Sequence, residues 1–335
     1  MVNATIQGEG CGNNVASASM MLHLRGRTLR TAVTTLTLSM VLGQLPGPSG
    51  ATTSPSRSLP SNLVPFSSPR FTGEGIWHAA GRLVRGHVAV YTTTLALPDS
   101  PGVLAGVAWM NTSLLHARLY SGSLSPGGLN WKLTAPISAS ASRTLVAAFN
   151  GGFLLNVSGG GYLSEGHLVA PLRVGAASLV IYKNGFATVG QWGRDVSMTS
   201  SVVAVRQNLR LLVDHGRAVA GLNPNDVSVW GASLYSKVNT WRSGLGITAT
   251  GALVYAAGPM SVVDLASLLV RARAVRAMAL DMNPLWPIFA TYKPALPHGP
   301  ARPTNGTDLI SSMIQTPDRF FQPTYARDFI TMSTS

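Results

Sequence analysis

The chain predicts an α+β fold, a strand-rich mixed-sheet domain with few helices and one local β-α-β unit. Three observations lead there. Short apolar runs bounded by Gly, Pro, Asn and Ser recur from residue 87 to residue 280, the pattern of strands ended by turns. Lys183-Asn184-Gly185 between two such runs is a hairpin signal, and Ala249-Thr250-Gly251 is a weaker one. Only the segment 261–274 combines a start signal, an apolar stripe and a basic last turn.

Taken in order, residues 87–95 and 103–110 read as strands, and Arg118-Leu119-Tyr120 ends another before a Ser/Gly/Pro loop. Leu145 to Phe149 is an unbroken apolar run of the kind that makes a buried strand, and it stops at Asn150-Gly151-Gly152-Phe153. Residues 176–185 carry the hairpin, and 202–213 form a long strand candidate interrupted at Gln207-Asn208. Further helices are expected at 136–142, 226–238 and 307–316. Residues 252–256 make a strand that Gly258-Pro259 should break. Ser261 with Asp264 forms a capping-box pattern, followed by Leu265, Leu268 and Leu269 on one stripe. Arg271, Arg273 and Arg276 crowd the end of that helix, where cations complement its carbonyls. Residues 277–280 are again a strand, which delivers Asp281 at its carboxyl end. In open α/β sheets that edge binds ligands.

With 335 residues, 46% hydrophobic and 11% charged, the chain can bury a sizeable core. Its formal net charge of +13 suggests an anionic partner: nucleic acid, an acidic membrane surface or a phosphate-bearing polymer such as one of the cell envelope. The basic residues are scattered singly, which argues against a nucleic-acid-binding arm. A compositional bias toward arginine explains the charge as well. Arg25, Arg27 and Arg30 precede an uncharged stretch at 31–42, then Pro46-Gly47-Pro48 and a small-residue site at Ser49-Gly50-Ala51. This predicts an export signal, with 31–42 also a candidate membrane anchor, and a secreted or extracytoplasmic location. The expected organisation is an extension with signal or anchor at 1–51, a Ser/Pro-rich linker at 52–75 and one domain at 76–335. Cys11 is the single cysteine, and the seven histidines show no paired ligand spacing, so no metal site is expected, although a divalent ion stays open.

Asp281 and Asn150, each at the end of an apolar strand, are the first candidates for chemistry. By itself an Asn-Gly-Gly corner is more often a plain turn. The order of Asn150-Gly151-Gly152-Phe153, then Arg242-Ser243-Gly244-Leu245-Gly246, then a Ser-capped helix leading into Leu280-Asp281 resembles the phosphodiester glycosidase family, over residues 76–335. That family includes the enzyme that uncovers mannose 6-phosphate.

The resemblance implies hydrolysis at a sugar anomeric carbon bearing a phosphate ester, with no cofactor and with a phosphate-bearing glycan or sugar phosphodiester as substrate. It makes Asp281 the key carboxylate and places Arg242 on the phosphate, which a guanidinium can grip at two points. Asn150 joins them as a catalytic candidate. Gly151, Gly152, Phe153, Ser243, Asn283, Trp286 and Glu165 are expected to bind substrate. Glycosidases commonly need a second carboxyl group, and Glu165, Asp195, Asp214 and Asp226 are the candidates. One departure stands out. The family follows its Leu-Asp with Gly-Gly-Gly-Ser, whereas here Met282-Asn283-Pro284-Leu285-Trp286 follows. Asn283 could replace the serine and Trp286 could stack on a sugar. The same departure supports an alternative, a non-catalytic cell-wall or glycan-binding protein on this scaffold.

Overall fold

Strands dominate residues 59–98, 100–128, 130–231 and 238–334, which a computed structural model of the chain describes. The expected signal, anchor and first part of the linker lie outside the described residues. Elements are numbered in chain order. The largest sheet holds β1 (His78–Val84), β2 (His87–Leu97), β3 (Ser100–Met110) and β11 (Leu211–Asp214). It is completed by β12 (Arg217–Ala218), β13 (Thr240–Thr248), β14 (Leu253–Met260) and β15 (Ala274–Met282). Its spatial order is β1-β2-β3-β14-β13-β15-β11-β12. A second sheet contains β4 (Leu115–Tyr120), β5 (Leu145–Asn150), β16 (Phe289–Tyr292), β17 (Gly306–Asp308) and β18 (Phe329–Thr334), in the order β17-β16-β5-β18-β4. The third is β7-β6-β10-β8-β9, from β6 (Tyr162–Ser164), β7 (His167–Ala170), β8 (Ala177–Tyr182), β9 (Ala187–Gln191) and β10 (Val202–Gln207).

Every pairing between these strands is antiparallel. The expected mixed sheet is therefore corrected to antiparallel sheets. Many neighbours are joined by short turns, and a tight hairpin can only join antiparallel strands. The strand–helix–strand segment needs a second correction. β14 and β15 flank the helix in sequence, yet β13 lies between them and pairs with both, so they are not adjacent strands.

β14 also runs through Gly258-Pro259, which pair with Arg242 and Trp241 of β13. Its pairing with β3 stops at Ala257, so Pro259 sits where one side of the strand has no ladder partner, the setting in which proline is tolerated. α3 (Val262–Arg271) has the capping box read from sequence: Ser261 Oγ accepts from Asp264 N at 3.1 Å, and Asp264 Oδ2 from Ser261 N at 3.2 Å. Its buried Leu265, Leu268 and Leu269 pack on the largest sheet. α1 (Ala139–Ser142) and α2 (Val227–Trp230) are single turns.

No helix forms at 307–316. Gly306–Asp308 joins β16, and Leu309, Ile310 and Met313 then reach the core from turns. Apolar spacing alone does not separate that arrangement from a helical stripe. Residues 59–75, expected in the linker, are docked on the domain. Leu63 is buried and its N–H donates to Gly75 O, while the Glu74 carboxylate accepts from Arg70 N and Ala96 N. The rings of Phe149, Tyr255 and Phe289 lie 5.1–5.8 Å apart and join the first two sheets. That contact brings the ends of β5, β13 and β15 together.

Candidate active site

β5 is buried throughout and ends in Asn150, which must then hydrogen-bond inside the protein. Its Nδ2 donates to Gly151 O and to Ser243 Oγ, both at 2.9 Å. Its Oδ1 accepts from Tyr255 OH at 2.8 Å and Ile288 N at 3.1 Å. A primary amide has two donors and two acceptor positions, so none is left for a substrate atom. Ser243 Oγ passes the chain on, donating to Asp281 O at 2.8 Å. Asn150 and Ser243 thus fix the backbone that carries Asp281.

Asp281 is 2% exposed. Oδ1 accepts from Met282 N at 2.8 Å, but Oδ2 is buried with no hydrogen-bond partner. Arg327 Nη2 stands 3.7 Å from Oδ2. Burial raises the carboxyl to about 7, against the opposing pull of Arg327 and the Met282 amide, while Asp328 adds to the rise. A carboxyl group held near neutrality with one free oxygen is suited to exchanging a proton or attacking carbon. Arg327 itself is held over the Trp286 ring, with Cζ 4.6 Å from the centroid, and its Nη1 is buried without a partner. The Tyr325 ring lies 6.4 Å from Trp286, and its hydroxyl is also buried and unpartnered. Burial and the nearby Asp281 charge raise that phenol.

Asp328 is remote in sequence from the motifs, but the fold puts it against them. Arg206 and Asp328 form a fully buried pair, with Nε–Oδ2 at 2.8 Å and Nη2–Oδ1 at 3.1 Å. Gly151 and Gly152 lie against this pair. A Cβ on Gly151 would meet Asp328 Oδ2 at 2.0 Å, and one on Gly152 would meet Arg206 Cζ at 2.9 Å. The glycines therefore let the corner approach an ion pair of the protein itself. Arg206 Nη2 also donates to Phe153 O, and Asn208 Oδ1 accepts from Phe153 N at 3.2 Å. Asn208 Nδ2 donates to Ala279 O and Leu280 O. Within the interruption Gln207-Asn208, Asn208 is thus a brace between the β5 corner and the end of β15.

Successive residues of a strand face opposite ways, so Arg242 leaves β13 on the other face from Ser243. Arg242 is 4% exposed, and no carboxylate among the described residues comes within ion-pair distance of it. Its Nη1 makes only long contacts, 3.5 Å to Trp230 O and 3.8 Å to Met282 Sδ, and its Nε has no partner. Burial lowers the guanidinium to about 10. Among the described residues this buried cation lacks the anion that usually accompanies one.

Asn283 is a half-buried turn residue with φ +101°, its Oδ1 accepting from Leu285 N at 3.1 Å. Glu165 sits elsewhere. Its carboxylate accepts from Lys132 N at 2.9 Å and Leu133 N at 2.7 Å, at the wall of a separate cavity with His116 and Lys183. Asp195 and Asp214 share Arg194, and Asp226 Oδ1 caps α2 by accepting from Val229 N. Asp328, not one of these four, is the carboxylate electrostatically coupled to Asp281. Among the described residues no group of three His, Cys, Asp or Glu side chains gathers as a metal site. No helix among them is long and apolar enough to cross a membrane.

No protein-family model and no curated protein matches the chain. Among solved structures it is similar to the catalytic domain of zebrafish N-acetylglucosamine-1-phosphodiester alpha-N-acetylglucosaminidase, auto-inhibited by its pro-peptide. The identity is 16% over 85% of this chain and 99% of that one, with a TM-score of 0.41. A hypothetical protein from Synechocystis shares 11% identity over 75% of this chain and 63% of that one, at a TM-score of 0.41. A putative exported protein from Burkholderia pseudomallei shares 13% over 69% and 74%, at 0.37. These are distant likenesses of fold.

Proposed function

We propose that the protein is an exported hydrolase that cleaves the glycosidic bond of a sugar-1-phosphodiester. The observation that carries the reading is Asp281 Oδ2, a buried carboxylate oxygen with no hydrogen bond, beside Arg327. In this reading ionised Asp281 attacks the anomeric carbon or activates water there. A phosphate leaves as an anion and so needs little protonation, but it does need positive charge, which Arg327, 3.7 Å from Asp281 Oδ2, supplies. Asn150 and Ser243 act as positioning residues through the Asp281 carbonyl. Trp286 offers the sugar an aromatic face, on the ring side not covered by Arg327. Asp328, paired with Arg206, adds to the rise of the Asp281 carboxyl.

A second reading, a glycan-binding protein without turnover, draws on Met282, whose Sδ packs 3.8 Å from Arg242 where the resembled family has glycine. The two readings separate on Arg327→Lys, assayed at two salt concentrations with a sugar-1-phosphodiester. In a hydrolase the lysine lowers turnover more than affinity, because the planar two-point contact is lost as charge grows on the leaving phosphate. Binding by both forms with turnover by neither, across a panel of sugars, overturns the hydrolase and leaves the binder.

A further inference from the structure

A cavity of about 650 Å³ lies apart from Asp281 and Arg242, between β4 and the sheet formed by β6, β10 and β8. Its volume is in the range of small-molecule sites, roughly 300–1,000 Å³. Leu119, Leu163, Ile181 and Ala204 line it, with Ser164 and Tyr182 among its polar residues. At the same cavity stand Arg118 and Lys183, both exposed and without an ion pair among the described residues. The one carboxylate there, Glu165, is turned to the amides of Lys132 and Leu133. His116 is held beside the β8–β9 hairpin, since Ala117 N donates to Gly185 O at 2.8 Å and a Cβ on Gly185 would run into the imidazole. Burial, with Arg118 and Arg85 nearby, keeps that imidazole neutral to lower pH than usual.

An apolar chamber with unpaired cations at its wall matches one ligand chemistry. We propose that this cavity is a second binding site, for a single-chain anionic amphiphile whose phosphate or carboxylate head meets Arg118 and Lys183 while its hydrocarbon lies on Leu119, Leu163, Ile181 and Ala204. The site uses none of the residues assigned to hydrolysis, so it stands or falls separately from that function.

The test is calorimetric titration of the full chain with butyl, hexyl and octyl phosphate below their micelle concentrations, with octanol and inorganic phosphate alongside. Affinity should rise by about fourfold for each methylene added, the value for hydrocarbon leaving water. Arg118→Gln with Lys183→Gln should weaken octyl phosphate about tenfold and leave octanol unchanged, because two partly screened charges are lost. Leu163→Trp should weaken both ligands by filling the chamber, and thermal melting checks that each variant is folded. Equal affinity for inorganic and octyl phosphate, no gain with chain length, or no effect of the double substitution overturns the proposal.

Discussion

Replacing Asp281 with Asn should make the protein more stable relative to wild type as pH rises. The Asp281 carboxyl is held at about 7 in the fold against 3.8 for the free group, chiefly by burial. Between those values the native state binds more protons than the unfolded state, so wild-type stability falls as pH rises through this window. The separation is about 3 pH units at about 1.36 kcal/mol each, or about 4 kcal/mol of penalty present above pH 7 and absent below pH 4. Asparagine carries no such titration. Its amide must still sit where Oδ2 sits, and an unpaired buried donor costs about 1–3 kcal/mol at every pH. The quantity to read is therefore the change in the mutational effect with pH. Urea unfolding of both forms at pH 4 and pH 8 should show a difference that moves by about 4 kcal/mol in favour of the variant. A mutational effect independent of pH would refute the reasoning, because it would mean that Asp281 ionises normally in the fold.

Other substitutions test neighbouring parts of the account. Asp328→Asn leaves Arg206 buried without its partner and should cost about 3–5 kcal/mol in chemical denaturation, since both side chains are fully buried. Gly151→Ala forces a methyl onto Asp328 Oδ2 and should destabilise by about 1–3 kcal/mol, again read by denaturation. Arg242→Met should raise the melting temperature at pH 7, because a guanidinium whose value burial lowers to about 10 carries a penalty below that pH that methionine lacks.

Features set by neighbours in sequence were legible. The Ser261–Asp264 cap, the hairpin at Asn184-Gly185 and the buried run ending in Asn150 depend on adjacent residues, and each appears as a local element. Asp281 was singled out by its place after an apolar strand, and its burial follows from that place. The sheet order was not legible, because β13 inserts between β14 and β15 only through long-range pairing. Nor was the role of the Asn-Gly-Gly corner. Asn150 reads as a free polar group in sequence, and only the fold brings Ser243, Tyr255 and Ile288 to saturate it. Asp328 and Arg206 were overlooked for the same reason. A lone acid near the C-terminus says nothing of a partner 122 residues away. The one available hint was Arg327-Asp328 placed directly before the apolar run of β18.

In the proposed reaction Asp281 performs the chemical step in its ionised form. The most direct measurement is the pH dependence of kcat/KM on a sugar-1-phosphodiester, which reports ionisations of the free enzyme. The account predicts a rate that rises with pH and levels off above about 7, where burial places the Asp281 carboxyl, and Asp281→Asn should lower that plateau by about 100-fold or more. A rate that falls above pH 7, or an Asp281→Asn variant that keeps the wild-type profile, would contradict it.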